Sequence, residues 1–208
     1  MQLDPDYAVS DIDTLERLYG APAAASVKKE VGYVHPQYRK FIEAAPFVLL
    51  ATSGSEGMDL SPRGDSAGFV RIHDANTLLL PDRRGNNRID SLRNIVHDPR
   101  VALLFLIPGI GETLRVVGKA SIHLDPDLLT TFCVDGKPPR SVLLIKVESV
   151  FFQCSRAVLR SHLWDPSMHV ARDDLPSPGK ILAELSDGAI DGLKYDADLP
   201  ERLKSTMY

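Results

Sequence analysis

The sequence predicts a mainly β, α+β protein whose short strands roll into a barrel. Two observations predict it. Between residues 46 and 153, apolar runs of strand length recur, separated by Gly, Pro, Asn and Asp turn signals. Only two segments of that stretch carry helical spacing, too few for an alternating parallel α/β sheet.

The elements follow in order. Ser10 with Asp13 predicts a capping box for a short helix through Leu15 and Leu18, which Gly20 and Pro22 end. A second helix is expected after Pro36, with Tyr38, Phe41 and Ile42 on one face. Pro46 introduces the apolar run 47–52, and residues 54–57 supply a turn. Further strands are expected at 59–61, 68–72, 77–80, 101–106, 113–122 and 142–153, with turns at 74–76, 108–109 and 135–136. Residues 87–97 place Ile89, Leu92, Ile95 and Val96 on one helical stripe that stops before Pro99. Asp125 precedes Pro126, a capping residue before a helix-compatible proline, and opens a helix through Leu128, Leu129 and Phe132. The tail after Pro178 is amphipathic, with Ile181, Leu182, Leu185, Leu193 and Leu203 as its apolar positions. The chain thus divides into a helical N-terminal extension (1–45), the barrel (46–165) and a C-terminal helical extension (166–208), one domain overall.

Composition excludes several function classes. At 208 residues, 44% hydrophobic and 25% charged, the chain is an ordinary globular protein able to bury a core. A net charge of −4 argues against a broad nucleic-acid surface. Apolar runs such as 47–51 and 101–108 are far short of the about 20 residues a membrane helix needs. Residues 1–13 are acidic and lack the features of a signal peptide, and Cys133 and Cys154 make no disulfide framework. The expected location is the cytoplasm.

The chemistry concentrates in residues 61–100, which hold seven arginines and no lysine, whereas the first 60 residues hold three lysines and two arginines. A guanidinium offers a planar fork of donors that fixes a phosphate's orientation. Arg83, Arg84 and Arg88 gather at the start of the expected 87–97 helix, where added cations are unfavourable unless an anion joins them. Gly85 is expected to let the backbone bend close to such a ligand. The alternative is that these arginines are solvated or pair with Asp82, Asp90 and Asp98.

Three segments carry a family resemblance: Ser61-Pro62-Arg63-Gly64-Asp65, the run from Leu78 to Asn94 (LLLPDRRGNNRIDSLRN), and Glu112-Thr113-Leu114-Arg115-Val116. From about residue 47 to 164 the chain resembles the pyridoxamine 5′-phosphate oxidase-related family, in particular a bacterial branch of FMN-dependent flavoproteins. The resemblance implies a six-stranded split β-barrel of the FMN-binding type, assembled as a homodimer with FMN at the subunit interface. It implies that Arg63, Arg84, Asn87 and Arg88, with Arg83 a further candidate, hold the FMN phosphate. It sets Ser61, Pro81 and Asp82 along the ribityl chain and ring, and Thr113 where relatives have a glutamine near the flavin. The segment from Cys154 to Trp164 (CSRAVLRSHLW) resembles a C-terminal element of the same branch. Arg156, Arg160 and Trp164 recur at four-residue spacing, one helical face. Trp164 then stacks on a ring and Arg160 meets an anion, or Trp164 fills the dimer interface and Arg160 pairs with a carboxylate.

The resemblance implies an FMN-dependent oxidoreductase acting on an unidentified small substrate. A non-catalytic flavin- or tetrapyrrole-binding or sensing module, or a deazaflavin-dependent reductase, is the alternative. The helical N- and C-terminal extensions depart from true pyridoxamine-phosphate oxidases, which argues against pyridoxamine phosphate as the substrate. Other signals read as background. Arg63-Gly64-Asp65 is a chance tripeptide, Gly109-x-Gly111 lacks a dinucleotide fingerprint, and His162 and His169 lack a partnering carboxylate at metal-ligand spacing. Cys154 is expected to be a packing residue.

Overall fold

The computed structural model describes residues 4–55 and 57–208. Seven antiparallel strands form one sheet: β1 (Phe47–Gly54), β2 (Gly57–Gly64), β3 (Arg71–Asp74), β4 (Thr77–Asp82), β5 (Arg100–Leu106), β6 (Thr113–His123) and β7 (Ser141–Gln153). Their order is β2-β1-β5-β6-β7-β4-β3. Along the apolar runs of β1 and β5 burial alternates residue by residue, and this decides which face turns inward. Val48, Leu50 and Thr52 of β1 and Val101, Leu103 and Phe105 of β5 are buried, and their neighbours are more exposed. Leu114 and Val116 of β6 and Ile145 and Val150 of β7 complete the same core.

The sheet departs from the expected six-stranded barrel in two ways. Among the described residues there are seven strands rather than six, the short β3 pairing with β4 as a hairpin. The hydrogen-bonded order is open, with β2 and β3 as its edges. The two halves nevertheless approach through side chains, since Arg63 of β2 pairs with Asp82 of β4. Edge position also explains how β2 accommodates Pro62, which has no N–H to give a second neighbour. Pro81 of β4 is tolerated for a related reason: β3 reaches only as far as Leu79 along its side of β4.

β4 is buried along all its residues. Its inner face joins the main core through Leu78 and Leu80, while Leu79 packs outward against Phe132 and Val142. That outer layer is α5 (Pro126–Thr131) and the residues after it, opened by Asp125 accepting the Leu128 N–H at 2.8 Å as expected. At Gly118 the β6 register shifts against β7, and a Cβ there would lie 2.2 Å from the Lys146 carbonyl oxygen, so the bulge requires glycine.

Before the sheet come α1 (Ile12–Tyr19), α2 (Ala24–Lys28) and α3 (Pro36–Ala44). The cap of α1 is Asp11, which accepts the Thr14 N–H at 2.8 Å, rather than the expected Ser10. α2 has no clear periodicity and was not legible in sequence. α3 anchors the N-terminal segment through the fully buried Ile42. Between β4 and β5, α4 (Asp90–His97) starts three residues later than expected. It packs on β1 through Ile95, and its buried Asn94 donates to Thr52 Oγ1 at 3.2 Å.

After β7, α6 (Arg156–Ser161) ends at His162, whose φ of 51° lies in the left-handed region. α7 (Pro178–Leu185) and α8 (Gly192–Ser205) then form a hairpin. They touch backbone to backbone: a Cβ on Gly179 would lie 2.1 Å from the Gly192 carbonyl oxygen. Among the described residues no helix is long and apolar enough to cross a membrane.

Candidate functional site

A groove of about 750 Å³ opens between β2, the end of β4 and the loop that precedes α4. Ser61, Arg63, Pro81, Asp82, Arg83, Arg84, Asn87 and Arg88 all line it. The sequence motifs at 61–65 and 78–94 therefore converge, although β2 is one edge of the strand order and β4 lies next to the other, and the Arg63–Asp82 pair bridges the two.

The floor is a charged hydrogen-bond network. Arg63 pairs with Asp82, donates to Ser61 Oγ at 3.2 Å and reaches Ser91 Oγ at 3.5 Å. Ser91 in turn donates to Asp59. This lattice fixes the Arg63 guanidinium against the strand end, so its planar face is held rather than sampled.

The wall is the loop 83–89, and here the structure corrects the expected helix start. The arginines precede the helix instead of beginning it: α4 starts at Asp90, with Ile89 as an N-cap that makes no side-chain bond. The residue in the left-handed region is Asn87, with φ of 62°, and not Gly85. Asn tolerates that conformation better than other non-glycine residues, and Arg140 clamps it by donating to Asn87 Oδ1 at 2.7 Å. The arginines are also partly committed to carboxylates. Arg83 donates to Asp65 Oδ2 at 2.8 Å and to the Phe132 carbonyl at 2.7 Å, so it ties the loop to the segments after β2 and α5. Arg88 donates to Asp90 at 2.9 Å but stays 79% exposed. Asp98 pairs with Arg100, away from the groove lining. Among the described residues Arg84 meets no carboxylate.

Sequence reasoning missed Arg140, Ser141, Met207 and Tyr208, which also line the groove. Ser141 is the most informative of these. Its Oγ is the one buried side-chain polar atom without a hydrogen-bond partner among the described residues. Tyr208 donates to Asp65 Oδ1 at 2.9 Å with its ring 5.5 Å from the Arg83 guanidinium carbon. The hydrogen bond to Asp65, and secondly burial, hold the Tyr208 phenol above its ordinary pKa. Phe69, Leu92, Ile122 and Leu124 give the groove an apolar side.

Thr113, Arg160 and Trp164 lie outside this groove. Thr113 opens β6 opposite Gln153. Arg160 is exposed near the end of α6, and Trp164 lies beyond that end, so the four-residue helical spacing does not extend to it. Trp164 instead donates from Nε1 to the Ile110 carbonyl at 2.8 Å. Cys154, expected to pack, is exposed, as is Cys133. Among the described residues no group of His, Cys, Asp and Glu is placed to hold a metal ion.

No curated protein matches the chain. Among solved structures it is similar to HupZ of Group A Streptococcus, at 20% identity and a TM-score of 0.47, over 58% of this chain and 94% of that one. It is similar to a Clostridium acetobutylicum protein related to general stress protein 26, at 16% identity and a TM-score of 0.44, over 57% and 86%. It is also similar to an FMN-binding protein from Syntrophomonas wolfei, at 11% identity and a TM-score of 0.42, over 67% and 95%. Family assignment rests on none of these but on the sequence itself. Residues 34–154, more than half of the chain and every strand of the sheet, match the model of the pyridoxamine 5′-phosphate oxidase family, and the chain belongs to that family.

Proposed function

We propose that the protein binds FMN in this groove and acts as an FMN-dependent oxidoreductase on a small substrate, as a cytoplasmic homodimer. The observation that carries the reading is the charge of the groove. Arg63, Arg83, Arg84, Arg88 and Arg140 line it with Asp82 as the carboxylate beside them. A phosphate monoester dianion complements that balance, and forked guanidinium donors suit its oxygens. The volume falls in the usual range for cofactor sites, about 300–1,000 Å³. Family membership supports a flavin over other phosphate esters.

The residues present fit such a group. Arg84, Asn87 and Arg88 would hold the phosphate, with Arg63 braced beneath it by Asp82 and Ser61. Arg83 is spent on Asp65 and Phe132 and supports the loop. The unpartnered Ser141 hydroxyl would find an acceptor or donor on the ligand, and Pro81 lies on the same wall. The apolar side would exclude water from the ring. Thr113, Arg160 and Trp164, remote from the groove within one chain, would reach the ring from the partner subunit of a homodimer. The division into extensions 1–45 and 166–208 around a cofactor-binding 46–165 is part of the same proposal. When bound, FMN supplies the redox chemistry at its ring, and the protein positions and tunes it.

The test is the absorbance spectrum of the purified protein, followed by identification of the chromophore released on denaturation. A yellow protein releasing FMN is the expected result. Stoichiometric deazaflavin or heme would overturn it. Bound FMN that neither NADH nor NADPH reduces, and that no acceptor reoxidises, would leave a binding module in place of an enzyme.

A further inference from the structure

Beside the groove lies a smaller recess of about 270 Å³, lined by Arg83, Arg84, Lys137, Pro138, Pro139, Arg140 and Tyr208. Tyr208, Arg83, Arg84 and Arg140 border both spaces, whereas Lys137 and the two prolines belong to the recess alone. Arg83 and Tyr208 close on Asp65 between them, which neutralises the nearest buried carboxylate. The other carboxylate that acts on Tyr208 is Asp135.

The remaining cations are unpaired. Among the described residues Arg84, Lys137 and Arg140 meet no carboxylate, in a chain where 28 acidic residues outnumber 24 Lys and Arg. Arg63, Arg83, Arg88 and Arg100, by contrast, each hold an aspartate. Arg84 borders both spaces and would serve the FMN phosphate, so with FMN bound Lys137 and Arg140 are the cations left to repel one another, and an anion placed between them removes that repulsion.

The backbone that carries these cations is fixed. Asp135 and Gly136 both have positive φ, 50° and 75°, the geometry of a tight two-residue hairpin turn. Val134 and Lys137 exchange backbone hydrogen bonds of 3.1 and 2.9 Å across it. Two prolines follow, and the Arg140 N–H then donates to the Asp82 carbonyl at 3.1 Å. Lys137 and Arg140 are therefore presented from rigid chain at either end of a Pro-Pro segment.

We propose that this recess is a second anion site, which takes a phosphate or diphosphate group of the molecule that exchanges electrons with the cofactor. It rests on the flavin reading, because it is second only to the phosphate site in the groove. Two sources share this chemistry: a nicotinamide dinucleotide as electron donor, and a phosphorylated organic substrate.

The experiment is calorimetric titration of the FMN-loaded protein with inorganic pyrophosphate at low salt. Saturable binding without release of FMN is expected. Lys137→Gln, which lies outside the groove, should weaken pyrophosphate roughly tenfold while FMN affinity stays unchanged. Lys137→Arg should restore it, and Asp135→Asn, which keeps a residue tolerant of positive φ, should tighten it. No binding, displacement of FMN, or equal affinity in Lys137→Gln would each overturn the proposal. Where the protein takes up no FMN, the flavin reading fails by itself; the recess fails with it only if pyrophosphate binding ignores Lys137→Gln. The source is read from NADPH reduction of the flavin. Competitive inhibition by pyrophosphate, with a raised KM and unchanged kcat in Lys137→Gln, assigns the recess to the dinucleotide. Reduction indifferent to pyrophosphate assigns it to the organic substrate.

Discussion

Tyr208 and Asp65, 143 positions apart in sequence, share a 2.9 Å hydrogen bond at the mouth of the groove, and the carboxylate's other oxygen takes Arg83 at 2.8 Å. Because the phenol's pKa is raised, its neutral form is favoured in the folded protein. The stability it adds is therefore fully present below the ordinary phenol value and is lost as pH rises through the raised one. Tyr208→Phe should cost about 0.5–1 kcal/mol near neutrality, a single partly solvated hydrogen bond. Urea unfolding of both proteins should show that difference disappearing at strongly alkaline pH.

Arg83 and Arg88 should separate fold from ligand. Arg88→Ala should weaken FMN binding by about 1–3 kcal/mol, the worth of a charge-assisted donor, with little change in unfolding midpoint. Arg83→Ala strips the partner from Asp65, whose side chain is only 3% exposed. It should lower global stability by about 3 kcal/mol, because the Tyr208 hydroxyl and the Ser66 N–H that remain both serve Oδ1 and leave Oδ2 without its cation. Flavin fluorescence quenching and denaturant unfolding, run side by side, measure the two quantities.

Asn87 combines a left-handed backbone with the Arg140 clamp, and two substitutions take these apart. Asn87→Ala should lose both and destabilise by roughly 1–2 kcal/mol for strain plus a further about 1 kcal/mol for the bond. Asn87→Gly keeps the backbone comfortable and loses only the clamp. If the two variants unfold alike, strain at this position is not what selects asparagine.

The Asp98–Arg100 pair gives a pH prediction. Hydrogen bonds from the Arg100 side chain and backbone pull the Asp98 carboxyl from 3.8 to about 2. A depressed carboxyl adds stability above its unfolded value that vanishes as pH falls through the folded one. The difference between wild type and Asp98→Asn should be constant above about pH 5, fall steadily below that, and be gone only about a unit below the folded value, as followed by acid unfolding.

What was legible in the sequence was local. The apolar runs of β1 and β5 and the Asp125-Pro126 cap are short-range signals, and the structure keeps them. The start of α4 was misplaced because Ile89 fits the apolar stripe while Asn87 turns left-handed, and period alone does not reveal φ. The eight predicted positions that line the groove were found through a motif, since 61–64 and 81–88 are far apart in sequence and meet only in the fold. Arg140 and Tyr208 carried no such signal. A residue after two prolines and another beyond a helix become neighbours of Arg83 only when the sheet curves.

The glycine contact between α7 and α8 has a mechanical consequence. Any side chain at Gly179 or Gly192 would have to part the two helices, and Tyr208, three residues past α8, is where such a displacement would meet Asp65 and Arg83.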